Sequence, residues 1–180
     1  MKTNLVQSVF ILLAVVFAAA IQDMLPSFGG AKAPLLLLLV LQTAFTEPRR
    51  ARRQAEPFVL PRWIPTALLA GAFEDALSGF PTGCSMAFML LAGSAARFMR
   101  RAVADLPAPL LGLAAGIVAA PFHELWMVVW DVVGATPAPV IRFFASALPA
   151  APAGALLFAF LPALRTGTGY HGLPDEGGAT

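Results

Sequence analysis

The sequence predicts an all-α integral membrane protein, a bundle of six transmembrane helices with both termini in the cytoplasm. Composition is the first reason: of the 180 residues, 58% are hydrophobic and only 12% are charged, whereas soluble domains are about 45–50% apolar and about 25% charged. The second reason is that six apolar segments alternate with charged or Gly- and Pro-rich stretches. The third is that the basic residues gather on one side of the topology that these segments define.

A membrane-spanning helix needs about 20 largely apolar residues, with some tolerance on either side. Six segments qualify, and we place them at residues 5–21, 33–46, 63–77, 81–98, 107–130 and 140–164. The second and third are short. We therefore expect that the bundle encloses them, or that adjoining turns dip below the membrane surface where protein covers their backbone. Residues 1–165 make up one membrane domain.

The first segment also resembles a signal peptide, because Lys2 precedes an apolar run that ends in the small residues Ala18, Ala19 and Ala20. The length of this run, and the further span that follows it, favour a retained helix. Cleavage would leave five spans and the same orientation for the rest.

The basic residues orient the bundle, since cytoplasmic loops carry an excess of Lys and Arg. With both termini inside, ten of the twelve basic residues are cytoplasmic, and only Lys32 and Arg142 lie outside. The densest group lies in the loop after the second span: Arg49, Arg50, Arg52 and Arg53. We interpret this loop as a solvated segment that sets the topology; the alternative is a dock for anionic lipid or for a cytoplasmic partner.

Residues 166–180, TGTGYHGLPDEGGAT, are rich in Gly and polar groups, so we expect a disordered cytoplasmic tail. The net charge of +2 is small and gives no indication of nucleic-acid binding. Cys84 is the only cysteine, which excludes an intrachain disulfide and a cysteine-based metal site, and we interpret it as a packing residue.

Residues 71–83, GAFEDALSGFPTG, place two adjacent carboxylates, Glu74 and Asp75, at the end of the third segment. Eleven residues after Trp63, at about 1.5 Å each, they lie about 16 Å into a hydrocarbon core about 30 Å thick. A charge there costs about 2.5–3.5 kcal/mol, so the pair should face the bundle interior, a wet cavity or a partner. We predict that these carboxylates cap and brace the following turn, that a new helix begins at Pro81, and that one carboxylate meets a basic or amide group.

The fifth segment carries the second polar feature. Its small residues Gly112, Gly116 and Ala120 recur every four positions and predict a close helix contact, and His123 and Glu124 extend that face. Pro121 is expected to kink the helix. We interpret His123 and Glu124 as a buried polar pair that fixes helix packing.

The motif H-E-x-x-H of zinc proteases would need a His at position 127, where the chain has Met127. The sequence contains neither a Ser-His-Asp set nor a phosphate loop. We therefore expect no catalytic residues, no metal and no cofactor.

The stretch 71–83 resembles the hairpin signature of the rod shape-determining protein MreD family, in which a Gly, an acidic pair ending in Asp, a small-residue turn and a further Gly join two membrane helices. The residues that carry the resemblance are Gly71, Glu74, Asp75, Gly79, Pro81 and Gly83. The first hairpin is similar as well, with Gln22, Pro26 and Pro34 at matching places. The resemblance extends to about residue 165, although His123 and Glu124 match no family motif.

This resemblance implies a non-enzymatic scaffold subunit of the cell-elongation (rod) machinery in the bacterial inner membrane, helping to control cell shape and peptidoglycan synthesis. It implies association with MreC and, through MreC, with MreB, RodA and a penicillin-binding transpeptidase. It also singles out Asp75 as the more important carboxylate. The six-helix fold of the family is similar to the substrate-binding subunits of energy-coupling-factor transporters, so a vitamin-type transporter subunit is the alternative. An intramembrane enzyme would require a convergent set of His and carboxylates.

Overall fold

The computed structural model describes residues 2–25, 27, 32–46, 60–79, 81–100, 102–103, 105–130 and 143–166. These residues form helices and turns, with no strand among them. The helices are α1 (Lys2–Met24), α2 (Leu35–Thr46), α3 (Trp63–Ser78), α4 (Cys84–Met99), α5 (Ala108–Trp130) and α6 (Ala147–Thr166). The all-helical fold is thus confirmed for the described part of the chain, whereas the basic loop at 49–53 and the tail from 167 onward lie outside it.

One helix start differs from the sequence expectation. The fourth helix begins at Cys84 instead of Pro81, because Gly83 has a left-handed backbone with φ 106° and ends a turn in which the Cys84 N–H donates to the Pro81 carbonyl. Helix α6 begins at Ala147; residues 143–145 before it are also helical and are separated from it by a turn at Ser146, whose hydroxyl donates to the carbonyl of Phe143. Residues 140–142, where we expected its start, lie outside the described residues.

Helix α2 is the centre of the arrangement. Every residue from Leu35 to Ala44 is buried, and α2 packs against α1, α3, α4, α5 and α6. Its 12 residues span about 18 Å at 1.5 Å per residue, which is shorter than a hydrocarbon core of about 30 Å. The prediction that this short helix is enclosed by its neighbours is confirmed.

Helices α3 and α4 form an antiparallel hairpin in which glycine permits close approach at both ends. A Cβ added at Gly71 would meet the backbone of Met86, and one added at Gly93 would come within 2.6 Å of Cε3 of Trp63. The first turn of α3 therefore lies against the last part of α4, and the end of α3 lies against the start of α4.

Helices α5 and α6 share the most extensive contact between any two helices described. Gly112 lies directly against the backbone of Gly154, and Gly116 lies against the carbonyl of Ala150, so a Cβ at either glycine would clash. Ala120, one turn further, is fully buried. The predicted helix contact along this face is confirmed. The α5–α6 pair touches the other helices mainly through α2.

The surface of the described helices is strongly apolar. On α1 and α5, the large side chains Phe17, Ile117, Val118 and Phe122 are exposed. Two helical segments are long and apolar enough to cross a membrane, Ala108–Val129 with mean hydropathy 1.5 and Phe143–Phe160 with mean hydropathy 1.7. Only 28% and 22% of these segments are buried, unlike the core helix of a soluble domain.

We predict that Gly116→Leu disrupts the α5–α6 contact. The added side chain must push the Ala150 backbone away, which should cost about 3 kcal/mol of stability. The matched control is Val118→Leu, because Val118 is 58% exposed and its replacement should change stability by less than about 0.5 kcal/mol. Unfolding by SDS titration of the purified protein in mild detergent measures both, and equal effects would contradict the assignment of this face.

Candidate functional site

Asp75 joins the end of α3 to the start of α4. Its Oδ2 accepts a hydrogen bond from the Gly83 N–H at 2.6 Å, and its Oδ1 accepts one from the Ser85 N–H at 2.8 Å. The first N–H groups of a helix have no acceptor within the helix. Gly83, at the N-cap, has no side chain that could accept a hydrogen bond from them. Asp75 therefore caps α4 from the preceding helix, which confirms the predicted brace.

The backbone of Asp75 also takes part in ending α3. Gly79 adopts the left-handed conformation, with φ 72°, and its N–H donates to the Asp75 carbonyl at 3.1 Å. This is the usual glycine stop of a helix, since only glycine enters that region without strain. One residue thus terminates α3 through its backbone and starts α4 through its side chain.

Glu74 faces a different helix. Successive helical residues are about 100° apart around the axis, so the two carboxylates diverge, and Oε1 of Glu74 lies 2.7 Å from Nε2 of His123 on α5. Both side chains are buried. The prediction that one carboxylate meets a basic group is confirmed, and the contact ties α3 to the α5–α6 pair.

Aromatic side chains enclose this contact on the side of α4. The ring of Phe88 meets His123 edge-on at 5.7 Å between centroids and stacks on Trp126 at 5.4 Å. Because Ser85 precedes Phe88 by one helical turn, both lie on the same face of α4. Helices α3, α4 and α5 together form what we call the polar cluster: the buried polar residues Glu74, Asp75, Ser85 and His123, with the half-buried aromatic rings of Phe88 and Trp126 beside them.

One expectation about α5 needs correction. His123 does not extend the contact face of Gly112 and Gly116: these glycines face α6, whereas His123 faces α3 and α4. His123 is offset from Ala120 by about 60° around the helix axis, and it contacts side chains of α3 and α4 instead of α6. Glu124 is buried as predicted. The helix continues through Pro121.

Sequence reasoning missed the buried polar side chains of Gln42 and Ser85. Gln42, in the middle of α2, is fully buried, and neither its amide oxygen nor its amide nitrogen has a hydrogen-bond partner among the described residues. The hydroxyl of Ser85 and Oε2 of Glu74 are likewise buried and without a described partner. An amide inside the run LLLLLVLQTAF was the available signal for Gln42.

The remaining predicted residues lie apart from the cluster or serve it indirectly. Gln22, named through the family resemblance, accepts a hydrogen bond from the Leu36 N–H at 3.2 Å and so caps α2 from α1. Pro81 is exposed in the turn before α4. Among the residues that the structure describes, no three His, Cys, Asp or Glu side chains are grouped so that they could hold a metal ion.

Two substitutions of Asp75 test how much its two hydrogen bonds contribute to stability. Asp75→Ala leaves the Gly83 and Ser85 amides without acceptors and should cost about 2–4 kcal/mol, since a hydrogen bond to a charged group contributes about 1.5–3 kcal/mol. Asp75→Asn keeps one acceptor oxygen and should lose about half as much. The free energy of unfolding of both variants is measured by SDS titration. An Ala variant as stable as the Asn variant would contradict the capping role of Asp75.

The Glu74–His123 contact should appear as coupling in a double-mutant cycle. Glu74→Met or His123→Leu alone strands a buried polar partner and should cost about 3 kcal/mol. The double variant should cost less than the sum of the two by about 1–3 kcal/mol. The control combines Glu74→Met with Phe122→Leu, because Phe122 is an exposed residue of α5 next to His123. The stability losses of these two substitutions should be additive. Additivity in the Glu74–His123 cycle would mean that the contact does not join the helices.

Neither protein-family models, nor curated proteins, nor solved structures yield a match to this chain. The candidate site is therefore defined by the geometry that α3, α4 and α5 build around Glu74, Asp75 and His123.

Proposed function

We propose that this chain is a multi-pass protein of the bacterial cytoplasmic membrane, with six spans and both termini inside, that acts as a non-enzymatic scaffold subunit of the cell-elongation complex. The observation that carries the proposal is that the two carboxylates of residues 71–83 are used for internal bracing. Both oxygens of Asp75 hold backbone amides, and Glu74 holds a side chain of another helix.

The distribution of polar and apolar side chains supports the membrane location. Glu74 and Asp75 are each 4% exposed, whereas Phe17 is 68% exposed and Phe122 is 59% exposed. Water would favour the reverse arrangement, because charges are costly to bury and apolar area is costly to expose. A hydrocarbon solvent favours what is seen, with polar groups directed inward and apolar side chains directed to lipid.

The bracing supports a scaffold. A residue that fixes helices to one another gives the outer surface of the hairpin a defined shape, which a partner helix can recognise with little loss of conformational entropy on binding. The resemblance of residues 71–83 to the MreD signature supplies the partner, MreC, and through it MreB, RodA and a penicillin-binding transpeptidase.

The second candidate is a substrate-binding subunit of a vitamin-type transporter. It is favoured by the buried polar atoms without a described partner on Gln42, Glu74 and Ser85, because a few polar groups inside an apolar interior are typical of ligand sites. A small molecule retained through purification, with its binding abolished by Gln42→Leu, would favour this candidate over the scaffold.

The scaffold predicts that MreC copurifies with the chain and that the brace is needed for it. After extraction in mild detergent, wild-type protein should retain the MreC of the same bacterium. Asp75→Ala should retain several-fold less MreC per unit of purified chain, because a hairpin without its cap presents an altered surface. Asp75→Asn should be intermediate, and the exposed-site control Val118→Leu should match the wild type. MreC absent from the wild-type preparation would overturn the proposal.

A further inference from the structure

Three arginines lie at one end of the α3–α4 hairpin. Arg62 directly precedes α3, whose first residue, Trp63, packs against Gly93 of α4. Arg97 follows Gly93 by one turn on the same face of α4, and Arg100 follows Arg97 by three residues. The antiparallel packing therefore brings Arg62, Arg97 and Arg100 to a single end of the molecule, and we refer to them as the arginine cluster.

Apolar side chains flank the arginine cluster and point outward. Leu60 and Met99 are each 54% exposed, and Phe98, between Arg97 and Arg100, is 86% exposed. Aromatic and apolar groups next to Arg are typical of the boundary between hydrocarbon and headgroups, where the rings sit at the membrane surface.

The charge of this end is complementary to anionic lipid. Arg101 adjoins the arginine cluster in sequence, and the loop that precedes α3 carries four arginines at 49–53 against the two carboxylates Glu47 and Glu56. Asp105, which is exposed, is the one carboxylate in the described part of the chain between Met99 and Ala108. The carboxylates of Glu74 and Asp75 lie instead at the opposite end of the hairpin.

We propose that the arginine cluster binds the phosphate headgroups of anionic phospholipids in the cytoplasmic leaflet, a proposal that rests on the membrane location proposed above. Guanidinium groups suit phosphate because their fixed donors can bond two oxygens at once. Phe98 and Met99 enter the acyl region beside the bound headgroup. The arginine cluster thereby fixes the depth of the α3–α4 hairpin at the inner surface.

The test uses the full chain reconstituted into phosphatidylcholine vesicles that contain rising fractions of brominated phosphatidylglycerol. Bromine quenches tryptophan fluorescence, and Trp126 and Trp130 are replaced by Phe so that the signal comes from Trp63, which lies beside the arginine cluster. The measured quantity is the binding preference for phosphatidylglycerol over phosphatidylcholine. The wild type should show a several-fold preference that weakens at high salt. Each of Arg62→Gln, Arg97→Gln and Arg100→Gln should lower it by up to about fivefold, and the triple variant should show none.

Two controls are needed: one keeps the positive charge of the arginine cluster, and the other removes a positive charge elsewhere in the molecule. The corresponding triple Arg→Lys variant keeps the charge and should keep most of the preference. Lys32→Gln removes a charge that pairs with Asp23 at the other end and should have no effect. A preference that is insensitive to salt, or that survives in the triple Gln variant, would overturn the lipid site.

The remaining outcomes separate this proposal from the proposed function. Displacement of the brominated lipid by inorganic phosphate at matched ionic strength would assign the arginine cluster to a soluble phosphate ligand and overturn the lipid assignment. Insertion that resists an alkaline wash, without any lipid preference, would overturn the lipid site alone. Failure to insert would overturn the membrane location and the lipid site together.

Discussion

The arrangement of helices depends on how one pair of adjacent carboxylates is compensated in a largely apolar chain. Two neighbouring residues of a helix point about 100° apart, so Glu74 and Asp75 cannot share a partner. Asp75 accepts hydrogen bonds from the backbone amides at the start of α4, and Glu74 is hydrogen-bonded to His123 of α5. A buried charge without such partners costs several kcal/mol. Compensation of the pair therefore sets the position of α3 relative to two other helices at once.

Small residues make these polar contacts geometrically possible. Without a side chain at Gly71, the end of α3 reaches the first turn of α4 closely enough for Asp75 to meet its amides. Gly112, Gly116 and Gly154 bring α5 and α6 together in the same way. In the membrane location that we propose, burial of apolar surface would give little force between helices, so close packing and hydrogen bonds would have the larger share in holding them together. Glycine contacts and the polar cluster are thus complementary parts of one packing scheme.

The sequence predicted local features well and distant pairings poorly. The apolar runs placed the helices, and the breakers around Gly79 and Gly83 placed the turn that Asp75 braces. The start of α4 was misplaced at Pro81, since proline is compatible both with a first helical position and with a turn, and the left-handed Gly83 decided between them. The pairing of Glu74 with His123 spans 49 residues, and no periodicity in a single sequence specifies such a contact. Gln42 was missed because the run around it reads as uniformly apolar.

Two of the helix starts are capped by the preceding helix: Gln22 of α1 holds the amide of Leu36 in α2, and Asp75 of α3 holds the amides of Gly83 and Ser85 in α4. Each cap spans at most 14 residues of chain, so each hairpin can close soon after its second helix leaves the ribosome. The Glu74–His123 contact, by contrast, must wait until α5 has been synthesised. The contacts that close the two hairpins are therefore local in sequence, whereas the contact that joins α3 to α5 is long-range and brings the larger loop-closure cost in conformational entropy.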